Sequence, residues 1–160
     1  MRELTQQEKE MLNKRRSGLA QFIAEKGPVL EDFADRLGIP PETGRDTSRA
    51  LAPIEEFMRK QVVSPESRSW ILTRLGYLIG DVLAQKFSGF WFLNELPDSR
   101  YFLRYVVGRF AALGGSNAMV DPFEVADAYL SEPPGRDLFQ YLAEVENGLR
   151  EMSRASTTLH

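Results

Sequence analysis

A chain of 160 residues that is 42% hydrophobic and 27% charged has the composition of a folded globular protein, and at this size one core buries roughly 70% of the unfolded chain's surface without disulfide or metal staples. With no cysteine and a single histidine at the last position, thiol nucleophiles, thiolate metal sites, histidine triads and multi-histidine metal sites are excluded. A net charge of −3 and a pI of about 5.3 give no whole-molecule attraction to nucleic acid or to an anionic membrane.

Residues 1–8 are polar where a secretory signal carries an apolar run, so a cytoplasmic location is expected. Thr5 followed by Glu8 is a capping-box pattern, and Met11, Leu12, Leu19, Phe22 and Ile23 recur at helical spacing up to Gly27-Pro28, where the first helix is expected to end. Val29, Leu30, Phe33, Ala34 and Leu37 predict a short second helix closed by Gly38, with an irregular connection through Pro40, Pro41 and Gly44. Pro53 fits a first-turn position. Ile54, Phe57, Met58 and Val62 then form a narrow apolar stripe beside Glu55, Glu56, Arg59 and Lys60, the pattern of a surface helix.

Ser64-Pro65 combines an N-cap hydroxyl with proline at the first helical position. From there a helix is predicted to Phe87, apolar on most of its circumference and so central. Gly76, Gly80 and Ala84 form a small-residue row along it that admits a close neighbour, at about 1 kcal/mol of helix propensity per glycine. The longest apolar stretch, residues 70–83, is broken by Arg74 and Asp81 and is too short to span a bilayer. Residues 90–93 and 101–107, aromatic and β-branched around Pro97-Asp98-Ser99, predict two antiparallel strands; residues 110–120 leave room for a turn and a short third strand. Asp121-Pro122 opens a helix that Pro133-Pro134-Gly135 stops, and a last helix carries Leu138, Leu142, Val145 and Leu149, with fraying expected over 153–160. The expected fold is therefore α+β: a small antiparallel sheet packed on a central helix, with an N-terminal helical region. Residues 1–152 are read as one domain, in which 1–63 form a helical part and 64–152 a helix-hairpin-helix core.

Chemistry-bearing patterns are sparse. Three acidic groups, Glu31/Asp32/Asp35, Glu55/Glu56 and Asp121/Glu124/Asp127, fall in first turns or on polar helix faces, where carboxylates serve the helix dipole. Gly114-Gly115-Ser116-Asn117 lacks the lysine of a phosphate loop, and no serine has a histidine base nearby. No catalytic residue, cofactor or metal site is expected. Trp70, Arg74, Tyr77 and Asp81 share helical spacing on the central helix and combine the residue types richest in binding hot spots, although aromatic residues so spaced are more often core. Arg100, Arg104 and Arg109, with Tyr101 and Tyr105, suit an acidic partner or a single strand of nucleic acid, or else a solvated sheet face.

Residues 30–51, with Ala34, Leu37, Gly38 and the run Thr47-Ser48-Arg49-Ala50-Leu51, resemble a DNA-binding helix-turn-helix. The resemblance implies that Arg45, Thr47, Ser48 and Arg49 face a groove. Pro40, Pro41 and Gly44 disfavour a helix start there, and Asp46 repels phosphate. A second likeness covers residues 74–150. Leu75-Gly76 through Gly80-Asp81-Val82-Leu83, then Gly89-Phe90-Trp91 and Asp121-Pro122-Phe123, are similar to small bacterial domains of the DUF3806-like and immunity types. It implies a fold and transfers no catalytic residue. The function expected is non-enzymatic: a protein-protein interaction module of the immunity or adaptor kind, with Trp70, Arg74, Tyr77, Asp81, Arg100, Arg104 and Tyr105 as partner-binding candidates. Self-association is left open. The alternatives are a DNA-binding regulator, and a small-molecule-binding or hydrolytic enzyme with a carboxylate site.

Overall fold

The capping box at Thr5 opens the first helix, α1 (Gln6–Arg36): Glu8 N–H donates to Thr5 Oγ1 at 3.1 Å and Thr5 N–H donates to Glu8 Oε1 at 2.9 Å. The computed structural model describes residues 2–158, with side chains to residue 155. After α1 come a 3₁₀ turn (Pro41–Arg45), α2 (Thr47–Arg59), α3 (Pro65–Phe87), β1 (Phe90–Leu93), β2 (Tyr105–Gly108), a 3₁₀ turn (Ala111–Leu113), β3 (Met119–Val120), α4 (Pro122–Leu130) and α5 (Leu138–Thr158).

The helix expected to break at Pro28 does not. Leu12, Leu19, Phe22, Lys26, Leu30, Phe33 and Leu37 keep one stripe of three-, four- and seven-residue steps straight through Gly27-Pro28. The carbonyl that Pro28 orphans belongs to Ala24, and both residues sit on the exposed side of α1, where water can satisfy it. Pro53 likewise lies inside α2 rather than in its first turn. Three helices therefore precede the sheet. At the other end α5 continues as helix through Thr158, past the expected fray point; residues 159 and 160 lie outside the described residues.

The fold is α+β, with the small sheet packed on central helix α3 and α1 laid along it. Ser64 caps α3 as its pattern requires, accepting from Ser67 N–H at 3.3 Å. The sheet is antiparallel throughout, in the order β1-β2-β3, with Trp91 opposite Val107 and Val107 opposite Val120. Those residues, with Tyr105, pack into the core. Phe90, Phe92, Val106, Gly108 and Met119 occupy the other face. The second strand begins at Tyr105, not at Tyr101, because residues 94–104 are organised by Asn94. Its N–H donates to Arg104 O at 3.0 Å and its carbonyl accepts from Leu103 N–H at 2.9 Å, while its buried side chain holds Ser99 Oγ at 2.9 Å and Leu96 N–H at 3.2 Å.

Gly76 and Gly80 admit rings rather than another backbone: Phe123 lies over Gly76 and Trp91 over Gly80. Phe22, Tyr77, Trp91, Tyr105 and Phe123 thereby form one aromatic cluster joining α1, α3, the sheet and α4, with centroid separations from 4.5 to 6.0 Å. α1 and α2 are built into the same core, to which they contribute Leu30, Phe33, Ala50, Ile54 and Met58.

Candidate functional site

The helical stripe on α3 divides in two. Tyr77 and Asp81 face inward and are core groups, not partner contacts. Tyr77 Oη donates to the Phe22 carbonyl at 2.7 Å, and burial pushes its hydroxyl up to about 12. Asp81 ties three helices together: Oδ1 pairs with Lys26 of α1, and Oδ2 accepts from Thr47 Oγ1 of α2 at 2.6 Å and from Gln85 Nε2 at 2.9 Å. Thr47, at 1% exposure, is consequently sealed in and cannot face a nucleic-acid groove.

Trp70 and Arg74, at the other end of the stripe, are half-buried and lie at the surface. The Arg74 guanidinium stacks 3.9 Å above the indole, Arg36 approaches the same ring at 5.5 Å, and Phe33 meets it edge-on at 5.6 Å. Arg36 is paired with Asp32 at 3.0 Å. Arg74 has no carboxylate within ion-pair distance among the described residues; its Nη1 donates to Trp70 O at 3.0 Å and its buried Nε has no acceptor. Burial pulls the guanidinium below its ordinary value, opposed by Asp32 and reinforced by Arg36. Its charge is held ready, unpaired, by the indole.

Beside this stack runs a groove of about 200 Å³ between the C-terminal turns of α1 and α2, the connecting residues 62–64 and the first turns of α3. Leu37, Phe57, Val62, Val63 and Trp70 supply its apolar lining. Val62 is 84% and Phe57 39% exposed. The reading of α2 as a surface helix holds on this side only. Its Glu55, expected on a charged face, is 1% exposed: it accepts from Tyr129 Oη at 3.0 Å, from the first N–H of α5 at Leu138 at 3.2 Å and from Arg59 Nε at 3.0 Å.

The remaining predicted residues are engaged elsewhere. Arg104 donates to Asp121 Oδ2 at 3.0 Å and to Glu124 Oε2 at 3.1 Å, and Arg100 donates to Glu124 Oε1 at 2.5 Å, both cations lying over Tyr101. Their charge is neutralised by α4 and gives no basic patch. Tyr105 is half-buried against Phe22, with its hydroxyl donating to Arg15 O at 2.7 Å. Arg45 pairs with Glu31, and Arg49 lies 3.6 Å from Asp46, which also accepts from Ser48 Oγ at 2.7 Å. The four residues of the helix-turn-helix likeness therefore do not form one cationic face.

Sequence reasoning found Trp70 and Arg74 but missed their neighbours. Val62-Val63 immediately before the Ser64-Pro65 helix start was the available signal, since apolar residues in a connection need a surface to cover. Among the described residues no group of three His, Cys, Asp or Glu is placed to hold a metal ion, and no helix is long and apolar enough to cross a membrane. Comparison with family models, with curated proteins and with solved structures gives no match to this chain.

Proposed function

We propose that this protein works by binding another protein, in the manner of an immunity or adaptor protein, through the groove beside Trp70 and Arg74. The occupant is an apolar segment that carries a carboxylate. One observation supports the choice above the others: Arg74, with no carboxylate partner among the described residues, is stacked on Trp70, which lines an exposed apolar groove. Apolar side chains entering beside Phe57 and Val62 supply affinity, and an acid reaching Arg74 fixes register through a fork-shaped, charge-assisted contact. Aromatic and arginine anchors of this type dominate interface energetics.

A photo-crosslinking residue placed at Val62 tests the assignment in the organism's own cytosol, with Ala143 on α5 as the control position. The expected result is a discrete adduct from Val62 that Arg74→Glu abolishes, whose crosslinked segment is apolar and contains an aspartate or glutamate. The same adducts from Ala143, adducts indifferent to Arg74→Glu, or a contacting segment without an acid each refute it.

A further inference from the structure

The outer face of the sheet carries an arginine that has no partner among the described residues and is independent of the Trp70 groove. Arg109 stacks 4.1 Å above Phe92 and 5.6 Å from Phe90. Among the described residues its guanidinium makes no ion pair or hydrogen bond, although carboxylates neutralise Arg100 and Arg104 nearby in sequence. Its backbone is held at φ 54°, a left-handed conformation that a non-glycine residue adopts at a cost. That conformation sets the side chain over the ring at the end of β2.

Arg109 lines a groove of about 410 Å³ together with residues 92–96 and 115–119. Gly114 and Gly115 both take positive φ, at 76° and 63°, and among the described residues the amides that follow, Ser116 N–H and Asn117 N–H, donate to no protein acceptor. Successive amides after such a turn form a concavity suited to an anion. Phe92 and the exposed Leu96 supply apolar surface to the same groove. The groove's one carboxylate, Glu95, is occupied by Arg16 of α1. The Arg109 guanidinium, the segment that carries the two amides and the Phe92 ring thus line one groove.

We infer that this groove binds a small ligand with an oxyanion group, carboxylate or phosphate, on a flat apolar body. The oxyanion lies in the plane of the Arg109 fork and within reach of the loop amides, while the flat part rests against Phe92 and Leu96, both of which line the groove. Stacking on Phe92 fixes the guanidinium plane and leaves its N–H groups directed outward, the arrangement that gives arginine its bidentate recognition of such anions.

The test is a titration of the full-length ¹⁵N-labelled protein, followed by amide shifts, with benzoate, phenyl phosphate and the uncharged benzamide as probes. Saturable shifts at Ser116, Asn117 and Arg109 are expected with an anionic probe at roughly millimolar affinity, the range open to so small a molecule. Tighter binding of benzoate assigns a carboxylate, and tighter binding of phenyl phosphate assigns a phosphate. Arg109→Gln weakens the preferred probe about tenfold or more, and Arg109→Lys recovers only part of that loss because an ammonium lacks the fork. Thermal melts verify that both variants are folded. Absence of saturable shifts with either anion, equal binding of benzamide, or unchanged affinity in Arg109→Gln overturns the inference.

Discussion

Replacing Gly80 by alanine is the sharpest available test of how the helix and sheet are joined. A Cβ at this position falls on Cζ2 and Cη2 of the Trp91 indole, well inside any normal carbon contact, and 2.9 Å from Pro122 Cγ. The indole cannot swing aside, because Phe22, Tyr77 and Phe123 surround it at centroid distances of 5.2, 6.0 and 5.9 Å. Overpacking of a rigid site costs about 1–3 kcal/mol, and the confinement here places Gly80→Ala at the upper end, about 3 kcal/mol. Alanine returns about 1 kcal/mol of helix propensity, leaving a net loss of about 2 kcal/mol, or roughly 4–8 °C in Tm for a chain of this length. Gly148 supplies the internal control: it sits in α5 with open space where its Cβ goes, so Gly148→Ala gains stability, by up to about 1 kcal/mol. Urea and thermal unfolding of both variants, followed by circular dichroism, read the two signs. A Gly80→Ala protein at least as stable as the parent refutes the packing of Trp91 on α3.

Glu55→Ala leaves the Tyr129 hydroxyl and the Leu138 amide without their acceptor in a buried site, so a loss of about 3 kcal/mol is expected by urea denaturation, against a change within about 0.5 kcal/mol for the exposed Glu56→Ala. Equal effects at the two positions contradict the burial of Glu55. Stability also falls in alkali. Burial raises the Tyr77 hydroxyl from the ordinary 10 to about 12, and Tyr129 and Tyr101 shift in the same direction. The native state then keeps protons that the unfolded chain releases, so this contribution is complete below about pH 10 and declines as pH rises toward 12. Urea midpoints measured across that window should drop, and drop less steeply in Tyr77→Phe; a flat profile counts against a buried Tyr77.

Much of the local structure was legible because its causes are local. Thr5 with Glu8, Ser64 with Pro65 and Asp121 with Pro122 each place a hydroxyl or carboxylate beside the amides it caps, and all three open helices where the pattern requires. The break assigned to Pro28 was a misreading of a signal that was present, since the apolar stripe does not change phase there. Glu55 was not legible in this way. A carboxylate between Ile54 and Glu56 looks solvated, and its partners, Tyr129 and Leu138, come from elements much later in the chain. The same distance hid the pairing of Arg100 and Arg104 with Asp121 and Glu124. Charge along a sequence shows which groups must be satisfied, and not by whom.

The amino-acid sequence by itself determined the capped starts of α1, α3 and α4, the central place of α3, the antiparallel pair and the exclusion of cysteine and multi-histidine chemistry, because each depends on composition or on neighbours within a few residues. Only the tertiary structure decided which arginines carry free charge. Among the described residues Arg74 and Arg109 have no ion-pair partner and lie on aromatic rings, while Arg45, Arg100 and Arg104 are neutralised. That distinction depends on which carboxylate a fold brings within about 4 Å, where an ion pair can form, and closure of the chain over long separations sets that distance.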